Sequence, residues 1–165
     1  MPQSGIQLVF VIPECANLGS TCVCHPALDA GSTFKGVYMN KLIKLAIEAR
    51  KKAYAPYSKY KVGAALETKD GKIYTGCNIE NASFGLAICA ERVAASKAVS
   101  EGKKKFKRIA VVTSDRDLAS PCGPCRQFLS EFSPEMTVIM ANTRGKSKIY
   151  TLSELLPHSF VLKNQ

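Results

Sequence analysis

The chain has 165 residues, of which 46% are hydrophobic and 22% charged, and this size suits a single domain with one sizeable core. No apolar run approaches the roughly 18 residues that a membrane span needs, so the composition predicts a soluble globular protein without membrane partners. The net charge of +10 suggests phosphate binding, but the densest basic run, residues 103–108, follows Gly102 at a predicted helix end, which disfavours a nucleic-acid partner.

The N-terminal segment, residues 1–38, lacks clear helical or strand periodicity. It contains an apolar stretch at residues 6–12, but its first basic residue is Lys35, so the positively charged front of a secretory signal is missing. Seven cysteines without such a signal indicate a reducing compartment, so we expect a cytoplasmic protein. We expect residues 1–38 to be a poorly ordered leader or extension and residues 39–165 to form the functional domain.

The first elements of this domain are a helix and a hairpin. Asn40 is a candidate cap for a helix that runs to about residue 55 and stops at Pro56. Residues 62–67 and 73–77 then read as two strands, because a Lys-Asp-Gly turn separates them.

The rest of the chain alternates helices with strands. We predict helices at residues 89–101 and 122–132, strands at residues 109–113, 137–140 and 148–151, and a last short helix at residues 154–156, capped by Ser153 and stopped by Pro157. This alternation predicts an α/β fold, a three-layer α/β/α sandwich around a mixed sheet of about five strands.

Three cysteines have the spacing of metal ligands. Pro124 is tolerated only in the first turn of its helix, so Cys122 and Cys125 must lie at the start of that helix. Cys89 opens the preceding helix in the same way, and the positive end of a helix stabilises thiolates. We therefore expect the three sulfurs to converge on one zinc ion at about 2.3 Å each.

No fourth protein ligand is evident. The only histidines are His25 and His158, each expected to be an ordinary surface or packing residue. The fourth coordination position should then be open to water, as it is in catalytic rather than structural zinc sites.

Two charged residues follow Cys89. Glu91 could be an acid that stabilises a helix start, but beside three metal ligands we expect it to carry protons. Arg92 could offset the net charge of −1 that three thiolates leave on a zinc dication, or could equally be a surface helix residue.

The combination matches the His-x-Glu and Pro-Cys-x-x-Cys signature of zinc deaminases, with Cys89 in the place of the histidine. Residues 39–160 resemble the small three-cysteine cytidine deaminases. The shared segments are A-P-Y-S-K-Y at 55–60, V-G-A-A-L at 62–66, G-C-N-I-E-N-A-S-F at 76–84, I-C-A-E-R at 88–92 and P-C-G-P-C-R-Q at 121–127.

The resemblance implies a cytidine-deaminase-like fold and the hydrolysis of cytidine and deoxycytidine, as free nucleosides in pyrimidine salvage, with release of ammonia. It makes Cys89, Cys122 and Cys125 the ligands of one zinc per subunit and Glu91 the general acid and base. Asn78 and Glu80 match the residues that bind the ribose, with Asn81 beside them; without the resemblance they would be polar residues at a strand end.

Three aromatic residues match positions that line the base pocket in this family. They are Tyr60, Phe84 and Phe160, and core packing is an alternative for each taken singly. Tyr60 replaces the more usual phenylalanine. Family members of this type are usually homotetramers, so the resemblance implies that Phe160 acts across a subunit boundary.

Several other functions fit part of the pattern. The C-G-P-C tetrapeptide also occurs in thioredoxin-like redox proteins, which would leave Cys89 and Glu91 without a role. A deaminase of nucleic-acid cytosine would need to admit a flipped or single-stranded base, whereas Asn78 and Glu80 suit a free nucleoside hydroxyl. A deaminase of a nucleoside antibiotic shares the zinc motif, and a binding module with a structural zinc would need a fourth ligand.

Overall fold

The computed structural model describes residues 30–162, with side chains from residue 41 onward. The segment that holds Cys15, Cys22, Cys24 and His25 lies outside the described residues, and the boundary at residue 39 stays a prediction. The described elements in chain order are α1 (Ala30–Lys51), β1 (Gly63–Thr68), β2 (Ile73–Cys77), a 3-10 turn (Phe84–Leu86), α2 (Ala90–Ser100), β3 (Phe106–Thr113), α3 (Gly123–Ser130), β4 (Thr137–Asn142), β5 (Ser147–Thr151) and α4 (Leu152–Leu155).

The five strands form one mixed sheet in the order β2-β1-β3-β4-β5. Strands β3 and β4 are parallel, and the other neighbouring pairs are antiparallel. Helix α1 packs its buried residues Leu42 and Ala46 on one face of the sheet, and α2, α3 and α4 cover the other face. The predicted three-layer sandwich is therefore confirmed.

Helix α1 begins ten residues before the predicted start. Asn40 lies inside the helix rather than at its cap, and the helix ends at Lys51 rather than near residue 55. Residues 30–39 contain no proline, so nothing in that stretch forbids helical backbone. Helix α1 faces the sheet with Leu42, Ala46 and Ala49, which are all buried.

Two further boundaries differ from the sequence-based prediction. The cap of α4 is Thr151 and not Ser153, because Thr151 exchanges hydrogen bonds with Glu154 in a capping box. Strand β3 begins at Phe106, so Lys107 and Arg108 are strand residues rather than a solvated helix end. Burial of the Phe106 ring in the core draws this part of the basic run into the sheet.

Two glycines in the sheet allow helix backbone atoms to pack directly against the strands. A Cβ on Gly63 would lie 2.0 Å from the Ala46 carbonyl oxygen of α1, and a Cβ on Gly76 would lie 2.4 Å from the Ala90 carbonyl oxygen of α2. In the antiparallel pair, Gly76 opposes Ala64, next to Gly63. A side chain at Gly76 would therefore displace the start of α2, where Cys89 and Glu91 lie.

The described helices include no candidate for a membrane span, since none is both long and apolar enough.

Candidate active site

The sulfurs of Cys89, Cys122 and Cys125 converge, and all three lie within 4.8 Å of one another. Cys89 Sγ and Cys122 Sγ are 3.8 Å apart. Tetrahedral zinc with bonds of about 2.3 Å places its sulfur ligands about 3.8 Å from each other, so the cluster has the dimensions of a zinc site. No other described His, Cys, Asp or Glu joins this group.

Two helix starts bring the thiols together. Cys89 is the N-cap of α2 and Cys122 is the N-cap of α3, and among the described atoms neither side chain makes a capping hydrogen bond. Pro124 lies in the first turn of α3, as the sequence predicts, and Cys125 is buried in the same turn. Both sulfur caps are thus free to bind a metal while the helix dipoles stabilise their negative charge.

The electrostatics of the cluster favour a thiolate at Cys89. Hydrogen bonds from the Cys125 and Cys122 thiols, together with the charge of Arg92, lower the pKa of Cys89 to about 5 despite its burial. The hydrogen bond to Cys89 and burial raise the pKa of Cys125. The Arg92 guanidinium also donates from Nη2 to the Ala87 carbonyl at 3.1 Å, which fixes its position beside the sulfurs.

Glu91 lies in the first turn of α2 with only 4% of its surface exposed. Burial raises the pKa of this carboxyl to about 7, and the negative charge on Cys89 adds to the effect. A carboxyl group in this environment can both accept and release a proton near neutral pH.

The cluster opens into a cavity of about 420 Å³. Its wall includes both cap cysteines and Glu91, and the polar side chains of Ser58, Tyr60, Asn78, Glu80 and Ser120. Strand β2 ends at Cys77, and Ile79 pairs with Tyr54 and Ile88 in isolated bridges. Asn78 and Glu80 therefore flank a bridged residue rather than lie in a regular strand, and both still face the cavity.

Asn78 and Glu80 also organise the loop that carries Tyr60. Asn78 accepts a hydrogen bond from Val62 N through Oδ1 and donates through Nδ2 to Tyr60 O, both at 2.8 Å. The Glu80 carboxylate accepts hydrogen bonds from Tyr57 N at 2.9 Å and from the Ser58 hydroxyl. Each side chain keeps hydrogen-bonding capacity for a ligand, because an amide and a carboxylate can form more bonds than these.

The other predicted substrate contacts lie outside this cavity. Within the described part of the chain, Phe84 and Phe160 are 77% and 69% exposed and do not line it. The edge of one ring in the Tyr57–Phe84 pair meets the face of the other, at a centroid distance of 6.1 Å. Asn81 Oδ1 accepts a hydrogen bond from Ser83 N at 2.9 Å, and Asn81 therefore shapes the turn before the 3-10 segment.

Arg126 is a supporting residue to which the sequence interpretation assigned no role. Its guanidinium donates to Pro121 O at 2.8 Å, to Ser120 Oγ at 2.8 Å and to Leu155 O at 2.6 Å. These bonds tie the segment before Cys122 to the end of α4. The P-C-G-P-C-R-Q segment includes this arginine, so the motif was the available signal.

Asn142 supports the loop between β3 and α3. Its Nδ2 donates to the carbonyl oxygens of Asp115 and Arg116 at 3.1 and 3.2 Å. Its Oδ1 accepts from Arg144 N and Lys146 N at 3.0 and 2.9 Å. No local sequence signal marks this residue, because its role depends on the parallel pairing of β3 with β4.

Comparison with known proteins gives a consistent result. The family model described as "Cytidine and deoxycytidylate deaminase zinc-binding region" matches residues 38–141, which include all three clustered cysteines. A cytidine deaminase of Halalkalibacterium halodurans is 50% identical over 124 residues, covering 74% of this chain and 94% of that protein. A blasticidin-S deaminase of Bacillus cereus is 35% identical over 125 residues, covering 71% of this chain and 88% of that protein.

A solved structure shares the fold. The crystal structure of cytidine deaminase from Burkholderia pseudomallei has a TM-score of 0.71 and 47% sequence identity, and the match covers 73% of this chain and 98% of that one. The sulfur cluster, the matched zinc-binding region and this fold agree with one another. The chain belongs to the cytidine and deoxycytidylate deaminase family of zinc-binding proteins.

Proposed function

We propose that this protein is a zinc-dependent hydrolase that converts cytidine and deoxycytidine into uridine and deoxyuridine. Water enters the reaction and ammonia leaves it. The observation that supports this most strongly is that Cys89 and Cys122 of the sulfur cluster, the buried Glu91 carboxyl and the polar pair Asn78 and Glu80 all line one cavity. A nucleoside has a reactive base and a hydroxylated sugar, and this cavity offers a group suited to each.

Cys89, Cys122 and Cys125 would hold the zinc, whose Lewis acidity lowers the pKa of water at the site when it is bound. Glu91 accepts the proton of the attacking water on a carboxylate oxygen. It passes that proton to the ring nitrogen while the water oxygen bonds to the carbon that bears the amino group. It then takes the proton of the new hydroxyl and delivers it to the amino group, so that the C–N bond breaks, ammonia leaves and the carbonyl of uridine forms. Arg92 lies beside the sulfurs and offsets their excess negative charge.

The remaining residues orient the nucleoside. Asn78 and Glu80 bind the sugar hydroxyls with the capacity that their loop contacts leave free, and Asn81 shapes the adjoining turn. Tyr60 forms one wall of the base pocket. We propose that Phe84 and Phe160 complete that pocket only when subunits associate, because both rings are exposed in a single chain.

A homotetramer is the proposed assembly. Six apolar side chains near Asn78 and Glu80 in the chain or paired with these segments are exposed, namely Tyr54, Tyr57, Ile79, Phe84, Leu86 and Ile88. Exposed apolar side chains are stabilised when another protein surface covers them. A second copy of the chain would remove these side chains from water and bring Phe160 to a neighbouring cavity.

The cytoplasm is the proposed location, and free nucleosides rather than nucleic acids are the proposed substrates. The described cysteines Cys77, Cys89, Cys122 and Cys125 form no disulfides, and a reducing compartment keeps cysteines in the reduced state that zinc binding requires.

The decisive experiment is an ultraviolet absorbance assay with four substrates and a zinc measurement on the same preparation. The substrates are cytidine, deoxycytidine, a short cytosine oligonucleotide and blasticidin S. We expect turnover of both nucleosides and about one zinc per subunit. Turnover of blasticidin S or the oligonucleotide alone would replace this proposal with the corresponding alternative, and disulfide reduction without zinc would favour a redox protein.

A further inference from the structure

Gln127 connects the metal-binding helix to the C-terminal segment. It lies two residues after Cys125 in α3. Its Nε2 donates a hydrogen bond to Phe160 O at 2.8 Å, and its Oε1 accepts one from Phe160 N at 3.0 Å. The amide nitrogen and the amide oxygen of Gln127 are therefore both hydrogen-bonded to the backbone of one distant residue, Phe160.

The segment that this amide fastens follows the last regular element, since α4 ends at Leu155. It carries three consecutive apolar side chains, Phe160, Val161 and Leu162, which are 69%, 68% and 75% exposed. Their side chains point to solvent while the Phe160 backbone is anchored. An anchored backbone with exposed apolar side chains presents those side chains in a fixed direction.

This pair of hydrogen bonds depends on the amide group of Gln127. An amide supplies a donor and an acceptor at the end of one side chain, which matches the carbonyl and N–H of one peptide residue. A glutamate would keep the bond from Phe160 N and repel the carbonyl oxygen. Alanine at this position would remove both hydrogen bonds and would leave the helix backbone unchanged.

We propose that Gln127 is a positioning residue that sets the placement of the Phe160 ring relative to the zinc-binding helix. This inference rests on the proposed function, in which Phe160 contributes to the base pocket of a neighbouring subunit. Gln127 does not touch the nucleoside, and it acts on substrate affinity through Phe160 alone.

A double-mutant cycle tests this. Cytidine kinetics, zinc content, oligomeric state and melting temperature are measured for the wild type, Gln127→Ala, Phe160→Ala and the double variant. We expect each single variant to raise KM about fivefold or more, with zinc content unchanged. The double variant should be no worse than Phe160→Ala alone, because a residue that acts only through Phe160 has no effect once the ring is gone.

Two further variants sharpen the result. Gln127→Glu keeps one of the two bonds, so its KM should lie between those of the wild type and Gln127→Ala. Glu131→Gln changes an exposed residue just after the same helix and should behave as the wild type.

The possible failures are distinct. If the effects of Gln127→Ala and Phe160→Ala on KM are additive, Gln127 acts independently of Phe160. If Gln127→Ala also loses zinc, Gln127 acts on α3 itself. Either result would overturn this inference and leave the proposed function intact. A raised KM for Phe160→Ala with an unchanged KM for Gln127→Ala would also overturn this inference alone. A wild type without deaminase activity, or a Phe160→Ala variant with normal kinetics and assembly, would overturn the proposed function or the proposed role of Phe160, and this inference with it.

Discussion

Glu67 of β1 lies directly opposite Arg108 of β3 in the antiparallel pair, and Arg108 Nε is 2.5 Å from Glu67 Oε2. The side chains are only 7% and 13% exposed, so this ion pair is largely shielded from water. Lys107 Nζ approaches the same carboxylate at 3.4 Å. Burial favours the neutral acid, but the hydrogen bond and charge of Arg108 outweigh it and lower the pKa of Glu67 below its usual 4.5.

Removal of the Glu67 charge should destabilise the fold. We expect Glu67→Gln to lower the free energy of unfolding by about 3 kcal/mol at neutral pH, because a largely buried carboxylate that pairs with Arg108 and Lys107 is replaced by a neutral amide. Urea unfolding measures the change. Glu48→Gln is the matched control, since Glu48 pairs with Lys51 on the exposed surface, where an ion pair contributes at most about 1 kcal/mol. Equal effects of the two variants would contradict the structural distinction.

The same pair predicts a pH dependence. Because the pKa of Glu67 is lower in the folded protein than its usual 4.5, the stabilisation is fully present above that value. It is lost as the pH falls through the lower folded pKa. The difference in unfolding free energy between the wild type and Glu67→Gln should therefore narrow below about pH 4.5. A difference that stays constant down to pH 3 would argue against the pairing.

Glu91→Gln should separate chemistry from metal binding. Glutamine keeps the size of the side chain but cannot accept a proton, so we expect kcat to fall by about 100-fold to 10,000-fold. Zinc content should stay at the wild-type level, because Glu91 is not in the sulfur cluster. Steady-state kinetics and metal analysis on one preparation provide both readings. Substantial turnover by this variant would remove Glu91 from the proposed mechanism.

Cys125→Ala should lose both metal and stability. Zinc that binds only the folded protein contributes its binding free energy to folding, so we expect a loss of at least about 2 kcal/mol. Chelation of the wild type should lower its melting temperature in the same direction. Cys77→Ala is the control, because Cys77 is a free thiol in β2 outside the cluster. A Cys125→Ala variant that retained a full complement of zinc would exclude Cys125 as a ligand.

Gly76→Ala should disturb the zinc site, although Gly76 lies in β2 and is not part of the sulfur cluster. The new Cβ would lie 2.4 Å from Ala90 O and 2.6 Å from Ala94 N, so α2 would have to move away from the sheet. We expect a loss of about 3 kcal/mol and weaker zinc binding. A Cβ at Gly85 would meet no described atom within 4 Å, so Gly85→Ala should match the wild type in unfolding and in zinc titrations. Normal zinc affinity in Gly76→Ala would show that the start of α2 tolerates the shift.

Local chemistry explains which elements the sequence could predict. Helix α3 begins where Pro124 requires it, and α2 ends just before Gly102, whose φ of +77° suits glycine. The predicted cap of α4, Ser153, was wrong. Thr151 and Ser153 both carry a hydroxyl group that could cap the helix, but only Thr151 has a glutamate three residues later to complete a capping box. Helix α1 begins at Ala30, before its predicted start, because a helix can extend through residues whose sequence does not by itself predict helical structure.

The site was predictable where a motif encodes it and not where it depends on distant contacts. The cysteine spacing predicted the cluster, whereas Gln127 meets Phe160 across 33 residues and Asn142 meets Asp115 across 27. The sequence also grouped three aromatic residues in one pocket. Of these, Tyr60 lines the cavity of the described chain, and the roles of Phe84 and Phe160 stay predictions that depend on a neighbouring subunit.

The two sulfur caps link metal binding to the order of two helix starts. In most helices a serine or aspartate oxygen closes the first turn, but Cys89 and Cys122 offer sulfur to a cation instead. One ion would therefore secure the opening turns of α2 and α3 at once. A copy without its metal would lack this shared anchor, so both first turns should open more readily than the rest of their helices. Metal loading should therefore slow hydrogen exchange at the backbone amides of these two turns.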